Sequence, residues 1–136
     1  MVRPRKEVPL VKCFLAARVL TLEQLCARLD LSRATVVRIL NDHGYYSSYN
    51  QSGTYLTIEE AAEFDSRGLW LWKTARFSKH GNLKQTVRYF VESSDEGMTH
   101  QELAQLLGVR VHNSLLDLVR DKEIRRDHLG PAFVYF

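Results

Sequence analysis

The segment from Ser32 to His43 carries side chains suited to reading the bases of a nucleic acid. Apolar residues recur there at helical spacing, at Val36, Ile39 and Leu40, and they predict the buried side of a helix. The opposite side would then present Arg33, Thr35, Val37, Arg38 and Asn41. Arginine can donate two hydrogen bonds to guanine, asparagine can bind adenine, and apolar groups can contact the thymine methyl. Ser32 is placed to cap this helix, and the free N–H groups of the first turn can bind a phosphate oxygen.

The same residues have a plainer explanation. Arg33 and Arg38 could be solvated charges on an amphipathic helix, because exposed arginines commonly contribute little beyond solubility. Thr35 could serve only the first turn of the helix. Both interpretations predict the same helix, and they differ in whether its exposed side meets a ligand.

Two further groups of residues are candidate phosphate contacts. The first lies in the turn region after the helix, at Ser48, Asn50 and Gln51, although residues 50–53 contain no cation. The second is a run of basic residues: Lys73, Arg76, Lys79, His80 and Lys84. Acidic residues at positions 59–65 precede this run, so a solvated face with balanced charge is the alternative.

An internal repeat positions these candidates. Residues 20–46 and 98–124 both begin with an apolar residue and a threonine, followed three positions later by Gln or Glu. Thr21 with Gln24, and Thr99 with Glu102, therefore predict capping boxes at two helix starts. An amphipathic helix precedes each copy, at 9–17 and 83–91, and aromatic and β-branched residues follow each copy in a pattern typical of a hairpin. The sequence thus predicts a mostly α-helical fold with small β-hairpins, built twice.

Residues 59–78 bridge the two copies. They contain an acidic part and then the sequence GLWLW at 68–72, which predicts a short strand or clamp that packs the two units together. Trp70 and Trp72 are expected to be core or interface anchors rather than stacking platforms for bases.

Residues 8–58 resemble the winged helix-turn-helix of bacterial DNA-binding regulators, and most of the likeness lies in the sequence TLEQLCARLDLSRATVVRILNDHGYY followed by SSYNQSGTYLTI. The likeness extends more loosely over residues 79–136. It implies two winged helix-turn-helix units in tandem, at 1–58 and 79–136, joined by the bridging segment 59–78. It also implies that the helix beginning at Ser32 enters the major groove of double-stranded DNA, while the wing 45–58 lies along the phosphate backbone.

The second copy departs from this pattern. The exposed side of its last helix would present His112, Asn113, Leu116, Asp117 and Arg120. An acidic residue and an exposed leucine suit a protein interface better than DNA, whereas the basic residues around this helix keep contact with a DNA backbone open. The second unit is therefore expected to bind DNA, a protein partner or a second copy of the chain.

Composition narrows the function classes. The 136 residues have a net charge of +3 and a hydrophobic share of 45%, which is typical of a globular chain. No apolar run is long enough to span a bilayer, and Cys13 and Cys26 stand alone, as expected of buried thiols in a reducing cytosol. The sequence contains no glycine-rich phosphate loop, metal-ligand spacing or nucleophile motif. We therefore expect no enzyme, cofactor, metal site, membrane contact or small-molecule substrate, and a cytoplasmic location, on the nucleoid in a bacterium.

The expected function is sequence-specific binding of double-stranded DNA in the regulation of transcription. One alternative is a protein–protein adaptor that uses both winged helices as scaffolds. Another is an accessory DNA-binding factor of a mobile element. Binding of single-stranded nucleic acid through the tyrosines and tryptophans is a third.

Overall fold

The computed structural model describes residues 7–136, with side chains from Pro9 onward. Within these residues the chain forms six α-helices and three small antiparallel sheets, a mixed α/β organisation. It divides into two compact units, of which the first ends at Lys79 and the second begins at His80. No helix in the described range has both the length and the apolar character needed to cross a membrane.

The first unit contains three helices and five short strands. The helices are α1 (Glu7–Ala17), α2 (Leu22–Leu29) and α3 (Arg33–His43). The strands are β1 (Leu20–Thr21), β2 (Tyr46–Ser47), β3 (Tyr55–Thr57), β4 (Leu69–Trp72) and β5 (Ala75–Ser78). The first three strands form one sheet in the order β1-β3-β2, and β4 pairs with β5 in a separate hairpin.

Local sequence explains where α2 and α3 begin. The Thr21 side chain accepts the N–H of Gln24, and the Gln24 side chain accepts the N–H of Thr21, so the predicted capping box is confirmed. Asp30 ends α2 in the left-handed conformation. Ser32 then caps α3 by accepting the N–H of Thr35, as predicted. The turn between α2 and α3 is therefore set by residues of adjacent sequence.

The main core of the first unit lies between its helices and the three-stranded sheet. Val36, Ile39 and Leu40 are buried on α3, which confirms the predicted inner side of this helix. They pack in one cluster with buried residues of the other elements, among them Leu10, Phe14, Leu25, Leu56 and Ile58. Burial on this scale fixes the rotation of α3, because turning the helix would expose the apolar stripe to water.

The bridging segment folds with the first unit. Its strands β4 and β5 form a hairpin in which Trp70 and Phe77 lie opposite each other, with ring centres 5.6 Å apart. Tyr46 and Tyr55 of the three-stranded sheet pack against this small cluster. The sequence predicts only one short strand or clamp here, and the structure contains a second strand, β5, that was not predicted. Trp70 is buried in this cluster, as predicted for a core anchor.

The second unit repeats the order of elements seen in residues 7–57. Its helices are α4 (Leu83–Ser93), α5 (His100–Leu107) and α6 (His112–Arg120). Its strands are β6 (Met98–Thr99), β7 (Arg126–Leu129) and β8 (Ala132–Tyr135). The sheet order β6-β8-β7 corresponds to β1-β3-β2. Thr99 and Glu102 form the second capping box, as predicted.

Two features stabilise the second unit locally. Gly97 adopts a φ of +78°, and an added Cβ there would lie 2.7 Å from Cγ1 of Val134, so only glycine fits this close approach. The second feature is an ion pair, in which Lys84 of α4 lies 3.0 Å from the carboxylate of Asp121, just after α6. The hydrogen bond from Lys84 lowers the pKa of Asp121, against a smaller opposing effect of desolvation. Ion pairs of this kind join α4 to the end of α6.

Candidate nucleic-acid interface

The side of α3 that faces away from the core carries most of the predicted base contacts. Arg33, Val37, Arg38 and Asn41 are exposed there. Arg38 forms no ion pair with any residue that the structure describes. The structure thus brings these four side chains to one accessible surface, which we call the α3 surface.

Arg33 is only weakly held. Its Nη1 lies 3.5 Å from Oε1 of Glu23 on α2, and the side chains are 73% and 72% exposed. An ion pair this long and this open to water contributes at most a few tenths of a kcal/mol, because solvent screens it. A phosphate or a guanine edge could therefore replace Glu23 as the partner of Arg33 at little cost.

Ser32 and Thr35 hydrogen-bond each other at the start of α3. The Ser32 hydroxyl donates to Oγ1 of Thr35 at 2.9 Å and accepts the Thr35 N–H at 3.3 Å. Thr35 is half-buried, so its hydroxyl serves the first turn of α3, which is the plainer of the two interpretations of this residue. Ser32 remains exposed at the N-terminus of α3, where N–H groups and the helix dipole favour an anion.

A groove runs along the α3 surface. It has a volume of about 310 Å³ and is lined by Arg33 and Val37 of α3, by Tyr45 just after α3, and by Ser52 and Thr54 of the turn that joins β2 to β3. Tyr45 is 43% exposed and is the one aromatic ring lining this groove in the described structure. The sequence indicated a tyrosine at the end of the helix but gave no reason to place it beside Arg33.

Ser48 and Asn50, two of the candidate phosphate contacts, form hydrogen bonds within the protein. Ser48 is 4% exposed, and its hydroxyl donates to the Asn50 carbonyl at 2.9 Å. The Asn50 amide donates to the Thr74 carbonyl at 2.7 Å, and its side-chain oxygen accepts the Arg76 N–H at 3.0 Å. Both side chains therefore hold the turn after β2 against the β4–β5 hairpin and have little capacity left for a ligand. Gln51 is exposed.

The predicted basic run is divided between the two units. Lys73 is exposed at the turn of the β4–β5 hairpin, with a φ of +54°, and Lys79 places its ammonium group 5.7 Å from the centre of the Phe64 ring. Arg76 is half-buried and hydrogen-bonds Tyr49, whose pKa is raised by burial although Arg76 opposes the shift. These three residues stay in the first unit.

The other members of the run belong to the second unit. His80 stacks on the Tyr89 ring with centres 3.6 Å apart. Lys84 is paired with the carboxylates of Asp121 and Glu123, at 3.0 Å and 3.9 Å. These two carboxylates offset the charge of Lys84, and a phosphate would have to compete with both of them.

The C-terminal end of α3 is fixed by the segment that follows β3. His43 lies 2.9 Å from a carboxylate oxygen of Glu60, and the Tyr46 hydroxyl donates to Glu59 at 2.5 Å. Burial, the bond to Glu59 and the charge of Glu59 together raise the pKa of Tyr46 to about 12. These contacts hold the α3 surface at both ends, because Ser32 caps the other end.

The second unit has a corresponding helix with a different surface. On α6 the buried residues Leu115 and Leu118 occupy the places of Val36 and Ile39. Asp117 then stands where Arg38 stands in the first unit, and it pairs with Arg120 at 3.0 Å. Leu116 is 43% exposed. The outward side of α6 therefore has an acid at the position of Arg38, and its own arginine, Arg120, is paired with that acid.

The chain matches no protein-family model, and a search of curated proteins finds no match. Among the described residues, no group of three or more His, Cys, Asp and Glu side chains could hold a metal ion.

Proposed function

We propose that each unit is a winged helix-turn-helix and that the first binds double-stranded DNA with α3 in the major groove. Two observations support the fold assignment. In both units a helix, a short strand, two helices and a hairpin follow one another along the chain. In both sheets the short strand, β1 or β6, pairs with the last strand of the hairpin, β3 or β8. The sequence resemblance and this order of elements point to the same family of folds.

The exposed α3 surface is the observation that carries the functional proposal. It holds Arg33 and Arg38 about one and a half helical turns apart. Val37 lies between the two arginines along α3, and Asn41 follows Arg38. The major groove of B-DNA, about 12 Å wide, admits one helix, and arginine and asparagine are the side chains that bind guanine and adenine in pairs of hydrogen bonds. The main core fixes the rotation of α3, so these groups are positioned before any ligand arrives.

The biological role that follows is the regulation of transcription from a specific DNA site. An accessory role in the DNA transactions of a mobile element would use the same surface. The adaptor function is favoured by one observation, the exposed Leu116 on a helix whose acid and arginine neutralise each other. The adaptor function predicts that the chain does not bind duplex DNA.

The test is selection of bound sequences from a random duplex pool, followed by anisotropy titrations of the recovered duplex. Arg38→Ala and Arg33→Ala should each weaken binding by about 5- to 150-fold if the arginine contacts a base edge, because such a pair is worth about 1–3 kcal/mol. Arg120→Ala is the control. It removes one positive charge, as the other two variants do, but the charge of Arg120 is already paired with the carboxylate of Asp117. Equal affinity of all three variants and the parent chain would refute base reading by α3.

A further inference from the structure

We propose that the second unit carries a phosphate-binding surface on the groove side of its β7–β8 hairpin, and that its ligand is the backbone of duplex DNA. Arg126 is the central residue, and His128, His112 and His100 lie around it. The identity of the ligand as DNA rests on the proposed function of the first unit, whereas the existence of an anion-binding surface does not.

Strand register shows which residues of the two hairpins correspond. Leu20 pairs with Leu56 in the first sheet, and Met98 pairs with Tyr135 in the second, so Leu56 and Tyr135 hold equivalent places. On the outer strand, Ser47 is opposite Leu56 and Arg126 is opposite Tyr135. Arg126 therefore occupies the place of Ser47.

The first hairpin is uncharged where the second carries an arginine. Residues 46–57 contain no Lys or Arg, and the serine at the position of Arg126 offers only a hydroxyl. The first unit thus has arginines on α3 and none on its β2–β3 hairpin. The second unit has a cation on its hairpin and an acid, Asp117, at the helical position of Arg38.

The groove of the second unit is also free of acids. It measures about 410 Å³ and is lined by His100, His112, Arg126 and Phe133 together with uncharged residues, and no lining residue in this fully described unit has a carboxylate. The equivalent groove of the first unit includes Glu23. A groove with one fixed positive charge, two imidazoles and no opposing acid attracts an anion.

Arg126 is held in place by an aromatic ring. Its guanidinium carbon lies 4.4 Å from the centre of the Phe133 ring, and the His128 ring centre lies 4.6 Å from the same ring. Arg126 forms no ion pair with a described residue. A guanidinium group stacked on a ring keeps its N–H donors at its edge, where they match the oxygens of a phosphate. The imidazoles can add N–H donors beside it.

These contacts favour phosphate over a stacked base as the ligand. Arg126 and His128 already pack against Phe133, so the ring serves to orient a cation. Phosphate contacts of this kind carry no sequence information and give salt-dependent affinity. The inference is a division of roles, in which the first unit reads bases and the second holds the backbone.

The test measures binding of the full-length chain to a fluorescein-labelled duplex of random sequence between about 50 and 200 mM salt. Arg126→Ala should weaken binding about eightfold at 0.1 M salt and lower the slope of log K against log salt by about 0.9, the values for one lost phosphate contact. Arg120→Ala is again the charge-matched control and should leave both quantities unchanged. Arg126→Lys should retain much of the affinity, because it keeps the charge.

The outcomes separate this proposal from the function of the first unit. If Arg126→Ala binds like Arg120→Ala, the phosphate surface is refuted, whatever the α3 variants do. If Arg126→Ala loses affinity while Arg33→Ala and Arg38→Ala do not, the phosphate surface stands and base reading by α3 fails. If Arg126→Ala alters only the oligomeric state in sedimentation, with the same duplex affinity, the surface binds a second copy and the proposal is overturned.

Discussion

Replacing Asn50 by alanine tests whether this residue is a structural tie or a DNA contact. The change removes two hydrogen bonds between the turn after β2 and the β4–β5 hairpin. One hydrogen bond contributes about 0.5–1.5 kcal/mol to stability. The bond to the Thr74 carbonyl lies at the lower end of this range, because the exposed carbonyl can bind water instead. The bond from the Arg76 N–H lies nearer the upper end, because this group is half-buried. We expect Asn50→Ala to lower the free energy of unfolding by about 2 kcal/mol.

Tryptophan fluorescence during urea denaturation measures this effect in the first unit alone. Both tryptophans of the chain, Trp70 and Trp72, lie in β4. With a slope of about 1–2 kcal/mol per molar urea for a small unit, Asn50→Ala should lower the midpoint by about 1 M or more. Gln51→Ala is the matched control, because its side chain is exposed and forms no hydrogen bond to a described residue. It should change stability by less than about 0.5 kcal/mol.

The two variants should differ in DNA binding in the reverse sense. Where the protein is folded, Asn50→Ala should bind the selected duplex as the parent chain does, and Gln51→Ala should bind a few-fold more weakly if Gln51 meets a phosphate. An unchanged urea midpoint for Asn50→Ala, together with a loss of duplex affinity, would refute the structural role of this side chain.

Two further predictions concern the second unit, with amide hydrogen exchange over residues 80–136 as the measurement. Gly97→Ala should destabilise this unit by more than about 2 kcal/mol, since the Cβ would meet Val134 and Phe136 at 2.7–2.8 Å with φ at +78°; protection equal to that of the parent chain would contradict this. The bond from Lys84 lowers the pKa of Asp121 in the folded chain. The pair therefore stabilises the second unit at any pH above the ordinary pKa of a carboxyl, and this stabilisation is lost as the pH falls through the lowered pKa. Lys84→Met should therefore reduce protection at neutral pH and leave it less sensitive to acid, and an unchanged pH profile would show that the pair contributes nothing.

Elements set by neighbouring residues could be predicted from the sequence. The two capping boxes, the cap at Ser32 and the buried residues of α3 each depend on side chains three or four positions apart, and the structure contains all of them. Their physics is local, because a cap or an apolar stripe needs no knowledge of distant partners.

The sequence could not show which predicted site residues the fold itself engages, because distant partners decide the role of those side chains. Asn50 finds its acceptor and donor 24 and 26 positions away, and Lys84 finds Asp121 at a separation of 37. A list of polar residues in a turn, or of cations in a run, cannot distinguish groups that face solvent from groups already satisfied by the fold. The sequence groups Arg126 only with the other basic residues around the last helix, because its correspondence to Ser47 becomes visible only through strand pairing.

The β4–β5 hairpin determines how small a working piece of this protein can be. A fragment that stops after Ile58 would retain every residue of α3 and of the β2–β3 hairpin, yet Tyr46 and Tyr55 would lose the cluster they pack on, and Asn50 would face water. Such a truncated polypeptide should aggregate or be degraded, whereas one that continues through Lys79 keeps the brace. A shortened version of the first unit should therefore end at Lys79.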